Sequence, residues 1–177
     1  MIDETFERIA DAAYLSNLAS QPTPAVRDRR AECQRVEDRI SFVRRLAQGR
    51  LDIVRDARQR RAAGHEPADV VSLLASLPET LAGGVGDGRR ARTAHLPDLA
   101  GTAPAVAELD ALCPPADLAR LGKLDDHDLS ELEAALTDFE HQVSAQRTIV
   151  FARLDALTDE LANRYRSGAT NVDSLLG

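Results

Sequence analysis

Tryptophan is absent, aromatic residues make up only 3% of the chain, and lysine occurs once, at Lys123. So few aromatics exclude the stacking platforms on which single-strand nucleic-acid binders lay successive bases. Positive charge is scarce as well. Twenty-two Lys and Arg face 29 Asp and Glu, a formal net charge of −7, so attraction to a polyanion is not the default behaviour. The two cysteines, Cys33 and Cys113, lie far apart. That spacing offers no disulfide framework and no thiolate cluster, and fits unpaired thiols in a reducing compartment. His65, His95, His127 and His141 are equally scattered and show no metal-ligand spacing. No apolar run approaches the roughly 20 residues that a bilayer span needs, and no signal peptide opens the chain. We therefore expect a soluble cytoplasmic protein that touches neither DNA nor membrane directly. Its 177 residues suffice for one domain with its own core.

Proline and glycine are present but clustered, and their placement organises the chain. Asp3 to Leu18 reads as a first helix, amphipathic through Phe6, Ile9, Ala13 and Leu18. Pro22-Thr23-Pro24 stops it and starts the next, with Thr23 as cap and Pro24 at the first helical position. From there to residue 62 only Gly49 interrupts, while Val36, Ile40, Val43, Ala47, Leu51 and Val54 keep an a/d-like seam. A glycine inside a helix costs about 1 kcal/mol relative to alanine, which suggests close approach at Gly49. Six prolines and the stretch AGGVGDGRRAR mark residues 64–124 as an irregular, partly mobile connector, with short helical turns expected at Ala68 to Leu77 and Pro115 to Leu121. Asp125 or Asp126 then caps a second long helix over 125–167. Its seam is Leu129, Leu132, Leu136, Phe139, Val143, Val150, Leu154, Leu157 and Leu161.

No segment alternates with period two long enough to make a strand. The expected fold is all-α and a single helical domain over 1–177. Two long helices (24–62 and 125–167) form an antiparallel coiled-coil-like hairpin, with an N-terminal helix (1–20), short helices in the connector and a tail at 168–177.

The informative feature is a row of polar residues. Glu37, Ser41, Arg44, Gln48 and Asp52 are spaced four, three, four and four apart, and fall within an arc of roughly 80° on a helix. The second long helix carries Glu140, Ser144, Arg147, Phe151 and Asp155, the same pattern 103 residues later with Phe151 in place of Gln48. Neighbours repeat too: Arg50-Leu51-Asp52 matches Arg153-Leu154-Asp155, and Asp56 matches Asp159. A polar row can be a solvated face laced by i,i+3 and i,i+4 ion pairs, or an inter-helix network that fixes register. Solvated faces, however, have no need to keep Ser at one slot and Arg three residues later. The recurrence in register reads as duplication of a site.

The chemistry of the row suits a guanine nucleotide. Carboxylates accept the N1–H and N2–H₂ donors of guanine's Watson–Crick edge, which adenine does not present together. Arginine stacks on a base or grips a phosphate, and Ser and Gln add adaptable hydrogen bonds. Antiparallel helices would set Glu37 near Asp155 and Arg44 near Arg147, an approximate twofold that suits a twofold ligand such as cyclic di-GMP. The carboxylates of Glu37, Asp52, Glu140 and Asp155 would repel one another in the free protein, so a hairpin frayed around both rows is expected. Catalysis has little support, because there is no nucleophile–base dyad, metal cluster or phosphate-binding glycine loop. A ligand-independent helical hairpin for protein interaction is the alternative reading.

The pattern E-x3-S-x2-R-x3-Q-x3-D, together with SFVRRLAQGRLDIV and the tail NRYRSGATNVDSLL, resembles the RsiG family of actinobacterial anti-sigma factors. The resemblance covers most of both long helices and the C-terminus. It implies a helical hairpin that binds cyclic di-GMP, as a stacked pair, and acts as a monomer before it meets its partner. That partner would be a WhiG-type sigma factor, whose sequestration restrains sporulation genes. By matching positions, the resemblance makes Glu37, Ser41, Arg44, Gln48, Asp52, Glu140, Ser144, Arg147 and Asp155 the ligand-binding residues. Phe151 departs from the pattern and puts hydrogen bonding at that slot in doubt.

Overall fold

The computed structural model describes residues 4–64 and 101–167. The expected turn at 68–77, the glycine-rich stretch 82–92 and the tail 168–177 lie outside the described residues. Among the described residues all regular structure is helical: α1 (Glu4–Ala10), α2 (Thr23–Ala62), α3 (Ala103–Leu112), α4 (Pro115–Leu118) and α5 (Asp126–Arg166), with single 3₁₀ turns at Ala12–Leu15, Leu18–Ser20 and Leu121–Lys123.

The two long helices, of 40 and 41 residues, fall where the apolar period places them. All six seam residues of α2, from Val36 to Val54, are buried, and so are those of α5 except the half-buried Leu132. Each buried Val, Leu, Ile or Phe of these seams contributes roughly 1.5–3 kcal/mol through burial. Asp125 is the residue that caps α5: its carboxylate accepts the Asp128 backbone N–H at 2.8 Å, with Asp126 and Asp128 in the first turn to complement the helix dipole.

Three local expectations change. The first helix ends at Ala10 rather than continuing to Leu18. The Asp11 carboxylate accepts the Ala13 N–H at 2.7 Å and Asn17 adopts φ 58°, so short polar side chains outcompete the helical backbone pattern. Ala13 is consequently exposed, and Tyr14 is buried in its stead. Helix α3 occupies part of the supposed irregular connector. Pro104, which read as a breaker, is its second residue, where a missing N–H costs no intrahelical bond. Finally, Gly49 is exposed, and a Cβ there would meet nothing within 4 Å. No close approach inside the described chain explains it.

The chain divides into two compact units. The first takes residues 4–44, 101–105 and 142–167 of the described chain, the second 45–64 and 106–141. Each unit therefore pairs the start of one long helix with the end of the other, and the two units follow one plan at the offset of 103. In the first, turns at Ala12–Leu15 and Leu18–Ser20 lead into Thr23 of α2. In the second, Pro115–Leu118 and Leu121–Lys123 lead into Asp126 of α5.

The braces repeat as well. Arg153 donates to the carbonyls of Ile9, Ala10 and Asp11 at 3.2, 3.1 and 3.4 Å, at the end of α1. Arg50, its counterpart, donates to the carbonyls of Leu109 and Cys113 at 3.0 and 2.6 Å and to the Asp110 carboxylate, at the end of α3. In both units an arginine donates to carbonyls at a helix C-terminus. Arg164 donates to the carbonyls of Leu18 and Gln21 and to Thr23 Oγ1, and Arg61 to the Gly122 carbonyl and the Asp126 carboxylate. The duplication thus extends from the polar row to the whole unit.

Candidate functional site

In the first unit Glu37 anchors the row. It is only 7% exposed, and its carboxylate accepts bonds from Ser41 Oγ at 2.6 Å, Arg147 Nε at 2.9 Å and Gln34 Nε2 at 3.4 Å. Arg147 Nε also donates to Ser41 Oγ at 2.8 Å. The Arg147 guanidinium lies over the Phe151 ring, 4.4 Å from its centroid. Held by a ring on one side and by Glu37 and Ser41 at Nε, this guanidinium keeps its two terminal nitrogens without a hydrogen bond among the described residues, a geometry suited to an oxyanion. Arg44 and Ser144 are half-buried in the same unit. Asp155 is exposed and makes no hydrogen bond or ion pair among the described residues.

In the second unit Gln48 Nε2 donates to Glu140 Oε1 at 3.0 Å. Asp52 is exposed and makes no hydrogen bond or ion pair among the described residues. Gln48, Asp52 and Glu140 line a hollow of about 340 Å³ together with Arg55, Thr137 and His141. Arg55 donates to Glu133 at 3.1 Å, a carboxylate that Arg58 also engages. The Arg58 and Arg55 bonds hold the Glu133 carboxyl below its ordinary range.

One relation beyond the expected ones emerges: the structure ties Arg147 to Glu37 and Ser41 across the two helices. Two of the four carboxylates that were expected to repel are therefore satisfied within the chain, Glu37 by Arg147 and Glu140 by Gln48. Arg55, Thr137 and His141 stand outside the row. A signal for Arg55 was there, since it extends the spacing 44, 48, 52 by one further turn. Phe151, which broke the pattern, turns out to be the platform for Arg147.

Fold and rows together define a helical-hairpin protein with a duplicated polar motif, in which charged side chains of one long helix meet those of the other within each unit. The family model described as RsiG-like matches residues 12–81 and 115–177, two segments whose first residues stand at the repeat offset. The chain belongs to that RsiG-like family. No match was found among curated proteins. No helix among the described residues is long and apolar enough to cross a membrane.

Proposed function

We propose that this protein is a cyclic di-GMP-responsive anti-sigma factor that sequesters a WhiG-type sigma factor and so restrains sporulation genes. The observation that carries the reading is the polar row written twice at one offset in a chain of the RsiG-like family. Glu37, Ser41, Arg44, Gln48 and Asp52, with Glu140, Ser144, Arg147 and Asp155, hold the ligand. The exposed carboxylates of Asp52 and Asp155 accept guanine donors, and the terminal nitrogens of Arg147 take a phosphate. The acidic chain complements the basic DNA-binding surface of a sigma factor.

Titration calorimetry of the chain with cyclic di-GMP at low salt tests this reading. Two ligands per chain are expected, and no heat of binding overturns the ligand role. One specific observation favours a second reading, a ligand-independent interaction module: Glu37 and Glu140 already have donors within the chain. Sigma-factor binding of equal strength with and without cyclic di-GMP would decide for it.

A further inference from the structure

The shared plan of the two units allows one to be compared with the other, and the comparison exposes a difference. In the first unit Tyr14 is buried at 7% exposure and lies along α2. Its hydroxyl is 2.9 Å from Glu32 Oε2 and 3.3 Å from the Arg29 carbonyl, and the guanidinium groups of Arg8 and Arg29 sit 5.9 and 5.6 Å from its ring centroid. Arg29 also donates to the Tyr14 carbonyl at 2.8 Å. The residues 103 later are Asp117, Leu132 and Ala135 in place of Tyr14, Arg29 and Glu32. Neither an aromatic ring nor its hydrogen-bond partners remain.

The second unit has a cleft of about 350 Å³ at this place, with Leu112, Leu124 and Leu132 on its apolar side and Asp117, Arg120 and Lys123 around it. Leu112 is 38% exposed, one of the few large apolar side chains left open. Arg120 and Lys123 are exposed, and their side chains make no ion pair among the described residues. They form a small cationic spot on a chain of net charge −7, and Lys123 is its only lysine.

We propose that this cleft is a docking site for a protein partner, and that it receives a tyrosine or phenylalanine ring flanked by carboxylates. The ring fills the volume that Tyr14 fills in the other unit, against leucines instead of an arginine. The carboxylates meet Arg120 and Lys123. The site lies apart from the polar rows, so the proposal stands or falls independently of the cyclic di-GMP reading.

The test uses the full chain with labelled leucine and valine methyl groups, titrated in solution NMR with the capped peptide acetyl-Glu-Tyr-Asp-amide. The control is the same peptide with alanine in place of tyrosine. Saturable shifts of the Leu112, Leu124 and Leu132 methyls are expected with the tyrosine peptide, and at least tenfold weaker ones with the control. The double substitution Asp117→Tyr with Leu132→Arg copies the filler of the first unit. It should abolish binding while helicity is retained. Arg120→Glu with Lys123→Glu should weaken the acidic peptide at least tenfold but leave p-cresol, a neutral probe of the apolar side, unaffected. Absence of saturable shifts, equal binding of the alanine control, or a filled-cleft variant that still binds would each overturn the proposal.

Discussion

Phe151 shows how a single residue can break a pattern and still serve it. At the slot where the first row has an amide, the second has a ring beneath the Arg147 guanidinium. A cation–π contact at a partly exposed site is worth about 0.5–1 kcal/mol, so Phe151→Ala is expected to weaken cyclic di-GMP about two- to fivefold. Calorimetry reads this directly, and helicity should not change because the ring is outside the apolar seam. Gly49 is the converse case. A Cβ there would meet nothing within 4 Å, so Gly49→Ala should raise stability by about 1 kcal/mol in urea melts. The sequence marked Gly49 as unusual but could not give the reason, because spacing carries no information about what stands opposite a residue. The same holds for Arg147. Its place in a row was legible, but its bond to Glu37 depends on the register between two helices far apart in the chain.

Elements were legible in proportion to their periodicity. Long seams of apolar residues at i,i+3 and i,i+4 spacing, with clear caps at their starts, set α2 and α5 almost to the residue, because burial of a long stripe outweighs local preference. α1 and α3 are short, and there local chemistry competes on equal terms. Asp11 and Asn17 end the first helix early, while Pro104 sits harmlessly at the start of α3. Neither outcome follows from a tally of helix breakers. Arg50 and Arg153, conspicuous in the sequence only as a repeated neighbour of the row, hold the ends of these short helices. Arg50 is the more buried; it donates to the Cys113 carbonyl and Asp110, and shares the Leu109 carbonyl with the Cys113 N–H. Each carbonyl left without a partner costs about 1–3 kcal/mol. Arg50→Met should therefore destabilise the protein more than Arg153→Met in urea melts, where both variants can be compared at one pH. Glu133 supplies the pH dependence at this scale. The bonds from Arg58 and Arg55 depress its folded-state pKa below the ordinary value of 4.5. A depressed carboxylate stabilises the fold above its unfolded pKa and loses that contribution as the pH falls through the folded one. The gap in Tm between wild type and Glu133→Gln should accordingly be present at pH 7 and shrink at about pH 3.

At the scale of the molecule, the duplication bears on how a ligand would act as a switch. If the four carboxylates simply repelled, the ligand would have to close a frayed hairpin. The structure instead satisfies Glu37 through Arg147 and Glu140 through Gln48; under the proposed function, the groups open to ligand are Asp155 and the terminal nitrogens of Arg147 in the first unit and Asp52 in the second. Under the proposed function, ligand binding then adds contacts to helices that are already paired, and its effect on the sigma factor comes from reduced opening and from the charge it brings. Linkage requires that any tightening of sigma-factor binding by cyclic di-GMP be matched by an equal tightening of cyclic di-GMP binding by the sigma factor. Both halves of the cycle can be measured by calorimetry. Hydrogen exchange across residues 37–52 and 140–155 supplies the local reading: a protected free state is expected, with a further rise in protection on adding ligand. Equal exchange with and without ligand would remove ordering as the means of coupling, and unequal factors around the cycle would mean that a third species, such as a second ligand molecule, had been left out. An Arg147→Ala variant separates the two contributions. It removes both the bond to Glu37 and the proposed phosphate contact, so its free state should exchange faster near residue 37, and its sigma-factor affinity should no longer respond to cyclic di-GMP.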